Sequence, residues 1–455
     1  MALARTEAEE QLARQFAKVE PGLPGGEWMP AARSAAMKLF GRVGLPHRRI
    51  EEWKYTDLRV ALKSAFPPAR ESDRAFDAFL PAEALGPEFA GLACIRLILV
   101  NGRFVASLVP EGHEAGSGYH FSPLSQVLGT SKDDWLQPAF KVANDDTAAV
   151  RALNTAFVTD GIAVRVEAGR KLDLPIHIVS IVDANEPVAV ATRNLIRIEA
   201  AARATVIESH VGVARAAFAR QVTAVTQISI EAGGEARHIQ HLEGGPDAVH
   251  LGQWDIELAA DAVYRGFQLT AGAGLVRNES HVRFTGPDAK LDLSGLMLGR
   301  GHDHIDTTLV VDHTTTGCEG RELFKSVLDD KARAVFQGKV IVAPEAQKTD
   351  GKQMAQALML SPDAEFDSKP ELEIYADDVA CGHGSTAAEL DPDMLFYLQA
   401  RGIPVDEARA LLIESFASEA LAKIDDEALR EAARAITLKW LGSSPDQTRP
   451  ERALG

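Results

Sequence analysis

The stretch WDIELAADAVYRGFQLTAGAGLVRNESHVRF, residues 254–284, contains the pattern that decides the fold. It holds three short alternating runs of apolar and polar residues, at residues 254–258, 263–269 and 282–284, and Gly, Asp or Asn lies between the runs. A period of two residues is typical of β-strands, in which successive side chains point to opposite faces. The stretch therefore predicts three short strands in succession, without a helix between them.

The same pattern extends in both directions, from about residue 154 to about residue 390. Further short runs lie at residues 162–166, 176–181, 195–198, 205–207, 222–230, 309–311, 335–342 and 372–375. No helical periodicity longer than about ten residues interrupts them. The block is therefore predicted to be rich in β-strands throughout.

A weak internal repeat runs through this block. A charged residue followed by Ala occurs at residues 235, 261, 288, 331 and 363, with successive spacings of 26, 27, 43 and 32 residues. Repeats of about this length are typical of solenoids, whose turns stack on one another. A β-sandwich is the competing interpretation, but it usually shows strands every 8–12 residues or so, joined by hairpin turns, and few such turns are visible here. We therefore predict a mainly β fold with a parallel β-helix core.

Helical patterns flank this core and suggest four parts of the chain. We predict an N-terminal helical and mixed α/β region at residues 1–150, the β-helix core at 151–390, a C-terminal helical domain at 391–441 and a disordered tail at 442–455. A solenoid leaves open strand edges at its ends, and flanking helical regions would cover them.

Local signals place several of the flanking elements. Good helix formers predict helices at residues 6–19 and 29–43, and the Asn101-Gly102 pair predicts a hairpin turn. Asp391-Pro392 is a helix-start signal and Gly402 a helix-end signal. A helix after Pro404 and another at residues 427–441 follow. The first of these is expected to dock on the core or on a partner through a mostly apolar stripe formed by Ala408, Leu411, Leu412, Ser415, Phe416 and Glu419.

Composition excludes several classes of protein. The 455 residues include 48 basic and 65 acidic side chains, a net charge of −17, which argues against a nucleic-acid partner. No apolar stretch approaches the length of about 18 residues that a membrane span needs. The acidic N-terminus does not resemble a secretory signal, and three scattered cysteines do not form a disulfide framework. These features predict a cytoplasmic protein with reduced thiols.

The sequence CGHGS at residues 381–385 is the most chemically suggestive stretch. In a strand, Cys381 and His383 project from the same face, because residues two apart share a face. A thiolate beside an imidazole suits iron or zinc. Two ligands cannot complete a four-coordinate site, so further ligands would have to come from elsewhere, with a partner chain as the obvious source.

A second cluster, HDHID at residues 302–306, allows an alternative function. With His313 and Cys318 downstream it is similar to the first metal-binding signature of metallo-β-lactamases, except that Thr307 stands where a His is required. A stand-alone metallohydrolase using His302, His304, Asp306 and His313 is therefore one alternative, and a polysaccharide-active β-helix enzyme is another. The sequence has no phosphate-binding loop and no nucleophile elbow. His210, His238 and His241 are interpreted as structural or surface histidines.

A distinctive stretch near the C-terminal end combines LEI at 372–374, DDV at 377–379, CGHGS at 381–385, LFYL at 395–398 and RGI at 401–403. With these motifs, the sequence as a whole resembles the SufB/SufD family of iron–sulfur cluster assembly scaffolds. Other matching stretches are EEWKYT at 51–56, LNTAF at 153–157, Asp160-Gly161, PIHI at 175–178, His313 with Cys318, FQG at 336–338, and Gln353 with residues 358–361. His383 followed by Gly384 is more similar to the SufD form than to the SufB form, and the N-terminal cysteine motif often seen in SufB is absent.

The resemblance implies a right-handed parallel β-helix and a non-catalytic scaffold role in a complex with SufB and two copies of the ATPase SufC. It implies that Cys381 and His383 face SufB and hold a transient iron–sulfur cluster shared with it, while no cofactor stays bound to the chain alone. The C-terminal helices would dock SufC, with Phe396, Tyr397, Arg401 and Phe416 as the expected contacts. Whether the isolated chain forms a homodimer is left open.

Overall fold

The computed structural model describes residues 4–72, 79–116, 118–130, 135–213, 219–272 and 274–442. Its helices are α1 (Glu7–Val19), α2 (Met29–Val43), α3 (Leu58–Ala61), α4 (Phe79–Ala90), α5 (Leu124–Thr130), α6 (Leu136–Ala139), α7 (Ala149–Phe157), α8 (Pro392–Gln399), α9 (Val405–Leu421) and α10 (Glu427–Gly442). Gly402 has a φ of 86°, as its predicted role after α8 requires. Most of the predicted tail, residues 443–455, lies outside the described residues.

Nineteen strands are described, and they occupy the centre of the chain. They are β1 (Ile95–Val100), β2 (Arg103–Leu108), β3 (Tyr119–Pro123), β4 (Ile162–Val166), β5 (Ile176–Val182), β6 (Val188–Ile198), β7 (Arg203–Gly212), β8 (Arg220–Ile230), β9 (Glu235–Glu243), β10 (Ala248–Leu258), β11 (Val263–Ala271), β12 (Leu275–Phe284), β13 (Lys290–Gly299), β14 (His304–His313), β15 (Glu319–Leu328), β16 (Arg333–Val342), β17 (Asp350–Met359), β18 (Glu365–Ile374) and β19 (Ala380–Ala388).

From β4 onward, consecutive strands alternate between two sheets. One sheet has the order β2-β1-β5-β7-β9-β11-β13-β15-β17-β19, and the other has the order β3-β4-β6-β8-β10-β12-β14-β16-β18. All neighbours pair in parallel except β1 with β2 and β3 with β4. Two sheets built in this way form a flattened β-solenoid of about eight turns, so the predicted fold class is confirmed.

A column of small residues closes the solenoid along one edge. Wherever the chain passes from the second sheet to the first, the residue just before the strand accepts a backbone hydrogen bond from the first N–H of the strand one turn later. The accepting carbonyls belong to Ala202, Gly234, Ala262, Ala289, Cys318 and Thr349. The charged residue–Ala pairs at 261 and 288 lie in these turns, whereas those at 331 and 363 lie at the opposite edge. The spacing of 43 residues between the pairs at 288 and 331 is therefore irregular because these two pairs lie on opposite edges of the solenoid.

The first described turn of the solenoid is covered by antiparallel strands. β1 and β2 form the predicted hairpin, and Asn101 and Gly102 both have positive φ, as its tight turn requires. β1 also pairs in parallel with β5, which joins the hairpin to the stack. The hairpin therefore satisfies the strand edge at this end.

The apolar core fills the space between the two sheets, and helices cover their outer faces. α4, α9 and α10 pack on the first sheet, while α1, α2 and α7 lie over the second. The face that α9 buries is formed by Ala408, Ile413, Ala417, Ala420 and Leu421. As a face docked on the core, the predicted stripe was wrong in detail, because Leu411 is exposed and the buried face follows the small alanines that allow close approach to the sheet.

Candidate functional site

The end of the solenoid opposite the hairpin is open. β18 and β19 are the last strands of the two sheets, and within the described residues no further strand pairs with either of them. Most residues of β19 are exposed, in contrast to the buried strands in the middle of the stack. An open edge presents unpaired backbone N–H and C=O groups to any partner strand.

Cys381 and His383 both lie on β19, at this open end. Cys381 pairs in register with Gly351 and is partly buried against the inner core cluster. His383 pairs in register with Gln353 and is exposed. The two side chains share the inward face of the last strand, so a group bound between them would sit at the mouth of the solenoid.

The Cys381 thiol is held in its protonated form by its surroundings. Burial raises its pKa, and the carboxyl groups of Asp350 and Glu322 act in the same direction. A thiol must lose its proton to bind a metal, so metal binding here would release that proton. Among the described residues, no three His, Cys, Asp or Glu side chains converge closely enough to hold a metal ion. If Cys381 and His383 bound a metal, they would supply two ligands, and the others would have to come from outside the described residues.

Behind Cys381 lies a group of buried polar side chains, His313, Glu322 and Gln353, which we call the inner polar cluster. The exposed fraction is 0% for His313 and 3% for each of the other two residues. In the described structure both side-chain nitrogen or oxygen atoms of each residue lack a hydrogen-bond partner. Burial lowers the pKa of His313 to about 4 and raises that of Glu322 to about 8, so both are largely neutral near pH 7.

Two glycines make room for this cluster. A Cβ on Gly338 would overlap the Gln353 amide, and a Cβ on Gly320 would lie 3.0 Å from Glu322 Oε1 and 3.4 Å from His313 Nε2. Sequence reasoning did not find this cluster. The available signal was Glu322 at an inward position of β15, two residues after Gly320 and in register with Gln353.

The HDHID segment does not form a metal site. His302 is exposed, whereas His304 Nε2 lies 2.8 Å from Thr56 Oγ1. Asp306 accepts a hydrogen bond from Thr56 and forms a 2.5 Å ion pair with Arg277. His304 and Asp306 therefore anchor the EEWKYT segment to the outer face of the solenoid. Within the described residues, these contacts give the metallohydrolase alternative no support.

The remaining histidines of interest have structural partners. His238 lies inside the core, 2.9 Å from the hydroxyl of Tyr264 and 3.2 Å from Glu208. His241 faces the other side of the same strand and stacks on Phe89 with ring centroids 4.2 Å apart. His210 is also buried, which lowers its pKa. Their interpretation as structural residues agrees with these contacts.

The other two thiols are buried. Cys318 occupies the column of small residues described above, and burial raises its pKa. Cys94 lies beneath α4, 3.8 Å from His177 Nδ1, and burial also raises its pKa. Cys381 is thus the most accessible thiol of the three.

The residues expected to contact an ATPase lie on α8, α9 and the turn between them. Phe396 and Tyr397 are 70% and 51% exposed, and the Arg401 guanidinium lies 3.9 Å from the Tyr397 ring centroid. Phe416 is partly buried beneath the Lys325 ammonium, at 4.1 Å from the ring centroid. Phe396, Tyr397 and Arg401 therefore form an exposed surface. Phe416 is only partly exposed and lies at the margin of that surface.

Comparison with known proteins identifies the family of this chain. The family model described as "SUF system FeS cluster assembly, SufBD core domain" matches residues 180–416, and that described as "SufBD protein N-terminal region" matches residues 8–178. The chain therefore belongs to the SufBD family of iron–sulfur cluster assembly proteins.

The similarity to individual relatives extends over most of the chain. The iron–sulfur cluster assembly protein SufD of Escherichia coli is 30% identical over 422 residues, which cover 90% of this chain and 92% of that protein. A SufBD family protein of Synechocystis is 29% identical over 406 residues, 86% of each chain. The chloroplastic protein ABCI7 of Arabidopsis thaliana is 25% identical over 399 residues, 86% of this chain and 81% of that protein. The resemblance to SufD is thereby confirmed. Within the described residues, no helix is long and apolar enough to cross a bilayer.

Proposed function

We propose that this protein is a non-catalytic scaffold subunit on which an iron–sulfur cluster is built at an interface with a sister SufB subunit. The supporting observation is the position of Cys381 and His383 on β19, the open edge of the first sheet. A partner strand can add to such an edge through backbone hydrogen bonds. Addition there would bring further ligands beside the two that this chain offers.

The nascent cluster is the cargo of this site, and we expect no cofactor to stay bound to the isolated chain. His383 is the primary ligand in this proposal because its imidazole is exposed at the mouth of the solenoid. Cys381 is the second ligand. Soft thiolate and imidazole ligands suit iron. A cytoplasmic location, where thiols stay reduced, fits this chemistry.

The ATPase SufC would dock on the exposed surface formed by Phe396, Tyr397 and Arg401, with Phe416 at its margin. Large apolar side chains exposed together mark interaction surfaces on soluble proteins. Since the chain has no phosphate-binding loop, nucleotide hydrolysis would be supplied by this partner. Because α9 packs directly on β13 and β15, a movement of the docked ATPase could be transmitted through α9 to the solenoid.

The test combines co-expression with a substitution at the site. The chain is expressed with its SufB and SufC counterparts and purified without oxygen, and iron and sulfide bound to the complex are measured. His383→Ala is expected to preserve the complex and abolish cluster formation. His302→Ala removes another exposed histidine and serves as the control. Normal cluster formation by the His383 variant would contradict the proposed role.

A further inference from the structure

The space next to the Cys381 thiol is kept free of side chains by two glycines. A Cβ on Gly351 would lie 3.6 Å from Cys381 Sγ, an ordinary contact distance. Gly320 is in register with Gly351 on the next strand, and its missing side chain leaves the way open to Glu322 and His313. The thiol therefore faces a gap that leads to the inner polar cluster.

The inner polar cluster can stabilise an atom placed in that gap. Its six side-chain nitrogen and oxygen atoms are buried and have no hydrogen-bond partner among the described residues. Buried polar groups of this kind are normally satisfied by water, an ion or a ligand. The Gln353 amide, a neutral His313 ring and a protonated Glu322 carboxyl can each donate a hydrogen bond. An atom that carries negative charge and accepts several such bonds would suit this site.

We propose that Cys381 carries sulfur as a persulfide, whose outer sulfur lies over Gly351 and accepts hydrogen bonds from the inner polar cluster. The inference rests on the proposed function, because an iron–sulfur cluster requires sulfur as well as iron. Iron ligation by His383 and sulfur storage on Cys381 would then take place two residues apart on one strand.

The transfer step is balanced without an added oxidant or reductant. The Cys381 sulfur attacks the outer sulfur of a persulfide donor, R–S–SH. The donor's S–S bond breaks as the new S–S bond forms on Cys381. The thiol proton of Cys381 ends on the donor, which leaves as R–SH. Cys381 is half-buried at the open end, so a donor can reach it, whereas Cys94 and Cys318 are buried.

The experiment uses the full chain and inorganic tetrasulfide as the sulfur donor. After anaerobic incubation and removal of excess reagent, peptide mass spectrometry locates added sulfur, and cyanide is then used to strip it. We expect one added sulfur on Cys381 and none on Cys94 or Cys318. Gly351→Ala, which fills the gap, should shorten the lifetime of the adduct against cyanide by about tenfold, the order expected for one lost hydrogen bond to a charged group.

The matched control is Gly382→Ala on the same strand, because a Cβ there would meet no atom within 4 Å. It should match the wild-type lifetime. If Gly351→Ala does not fold, Gln353→Leu removes two polar atoms of the cluster and should also shorten the lifetime. The inference would be overturned if no adduct formed on Cys381. It would also be overturned if the adduct had the same lifetime in the wild type and in a folded Gly351→Ala or Gln353→Leu variant. Such a result would leave the scaffold function standing if His383→Ala still abolishes cluster formation in the intact complex.

Discussion

The guanidinium of Arg277 lies over the indole ring of Trp53, 3.9 Å from the ring centroid. Arg277 is buried on the outer face of β12 and also pairs with Asp306 and Glu279, at 2.5 Å and 2.7 Å. Its Nη2 donates a hydrogen bond to the Glu52 carbonyl oxygen. One side chain thus joins the N-terminal EEWKYT segment to the solenoid.

Replacing Arg277 should destabilise the protein strongly. Arg277→Met would leave the buried Asp306 carboxylate and the largely buried Glu279 carboxylate without their arginine partner, and breaking a buried ion pair in this way typically costs about 3–5 kcal/mol. Urea denaturation would measure the free energy of unfolding. Arg283→Met removes an exposed arginine of the same strand, whose pair with Asp312 is 3.8 Å long, and should cost less than about 1 kcal/mol. Similar losses in both variants would contradict the role given to Arg277.

Glu322 should make stability depend on pH above pH 4.5. Burial raises its pKa from 4.5 to about 8, so the folded state holds this proton more tightly than the unfolded state does. The stability that the raised pKa contributes is present below about pH 4.5 and is lost progressively as the pH rises to about 8. Glu322→Gln should therefore become increasingly more stable than the wild type across this range, by a few kcal/mol at pH 9.

Thermal or urea unfolding at a series of pH values would test this prediction. Glu319→Gln, on the exposed side of the same strand, is the control, because its pair with Lys290 is solvent-exposed and should contribute little. A constant stability difference between Glu322→Gln and the wild type from pH 5 to pH 9 would show that Glu322 does not titrate as described.

Cys318 should be replaceable by a small residue. It lies in the column that contains Ala289 one turn before it and Thr349 one turn after it. Cys318→Ala should cost about 1 kcal/mol or less and leave cluster assembly intact, whereas Cys318→Leu should cost about 1–3 kcal/mol through overpacking. Melting temperatures and a cell-based cluster assembly assay would measure both effects. Loss of assembly in a stably folded Cys318→Ala variant would instead indicate a chemical role for this thiol.

Phe396 should matter for partner binding and little for stability. Phe396→Asp changes an exposed side chain, so its melting temperature should stay close to that of the wild type. Co-purification of the ATPase should fall sharply, because a charge placed in an apolar contact opposes its burial. Val60→Asp, at another exposed apolar residue, is the control. Unchanged recovery of the ATPase would place its docking surface elsewhere.

Many of the strands and five of the ten described α-helices could be predicted, because each of these follows from local periodicity or a local helix signal. Residues 162–166 and 29–43, for example, coincide with β4 and α2. The inner polar cluster could not be predicted from the sequence, because it depends on which residues of β14, β15 and β17 meet across the solenoid. The role of His304 and Asp306 was also hidden, since their partner Thr56 lies about 250 residues earlier in the chain. Register and long-range docking are set by tertiary packing, which a local pattern does not encode.

The stacking order of the strands also sets an order in time. Each turn of a solenoid packs on its neighbours, and a chain emerges from the ribosome with its N-terminal part first. The β1–β2 hairpin is therefore available before any later turn, and β19 is the last of the described strands to emerge. A nascent chain can thus build most of its core before it displays Cys381 and His383. A chain whose translation stops before residue 380 would therefore lack the proposed ligands Cys381 and His383, and we expect it not to capture iron at this site.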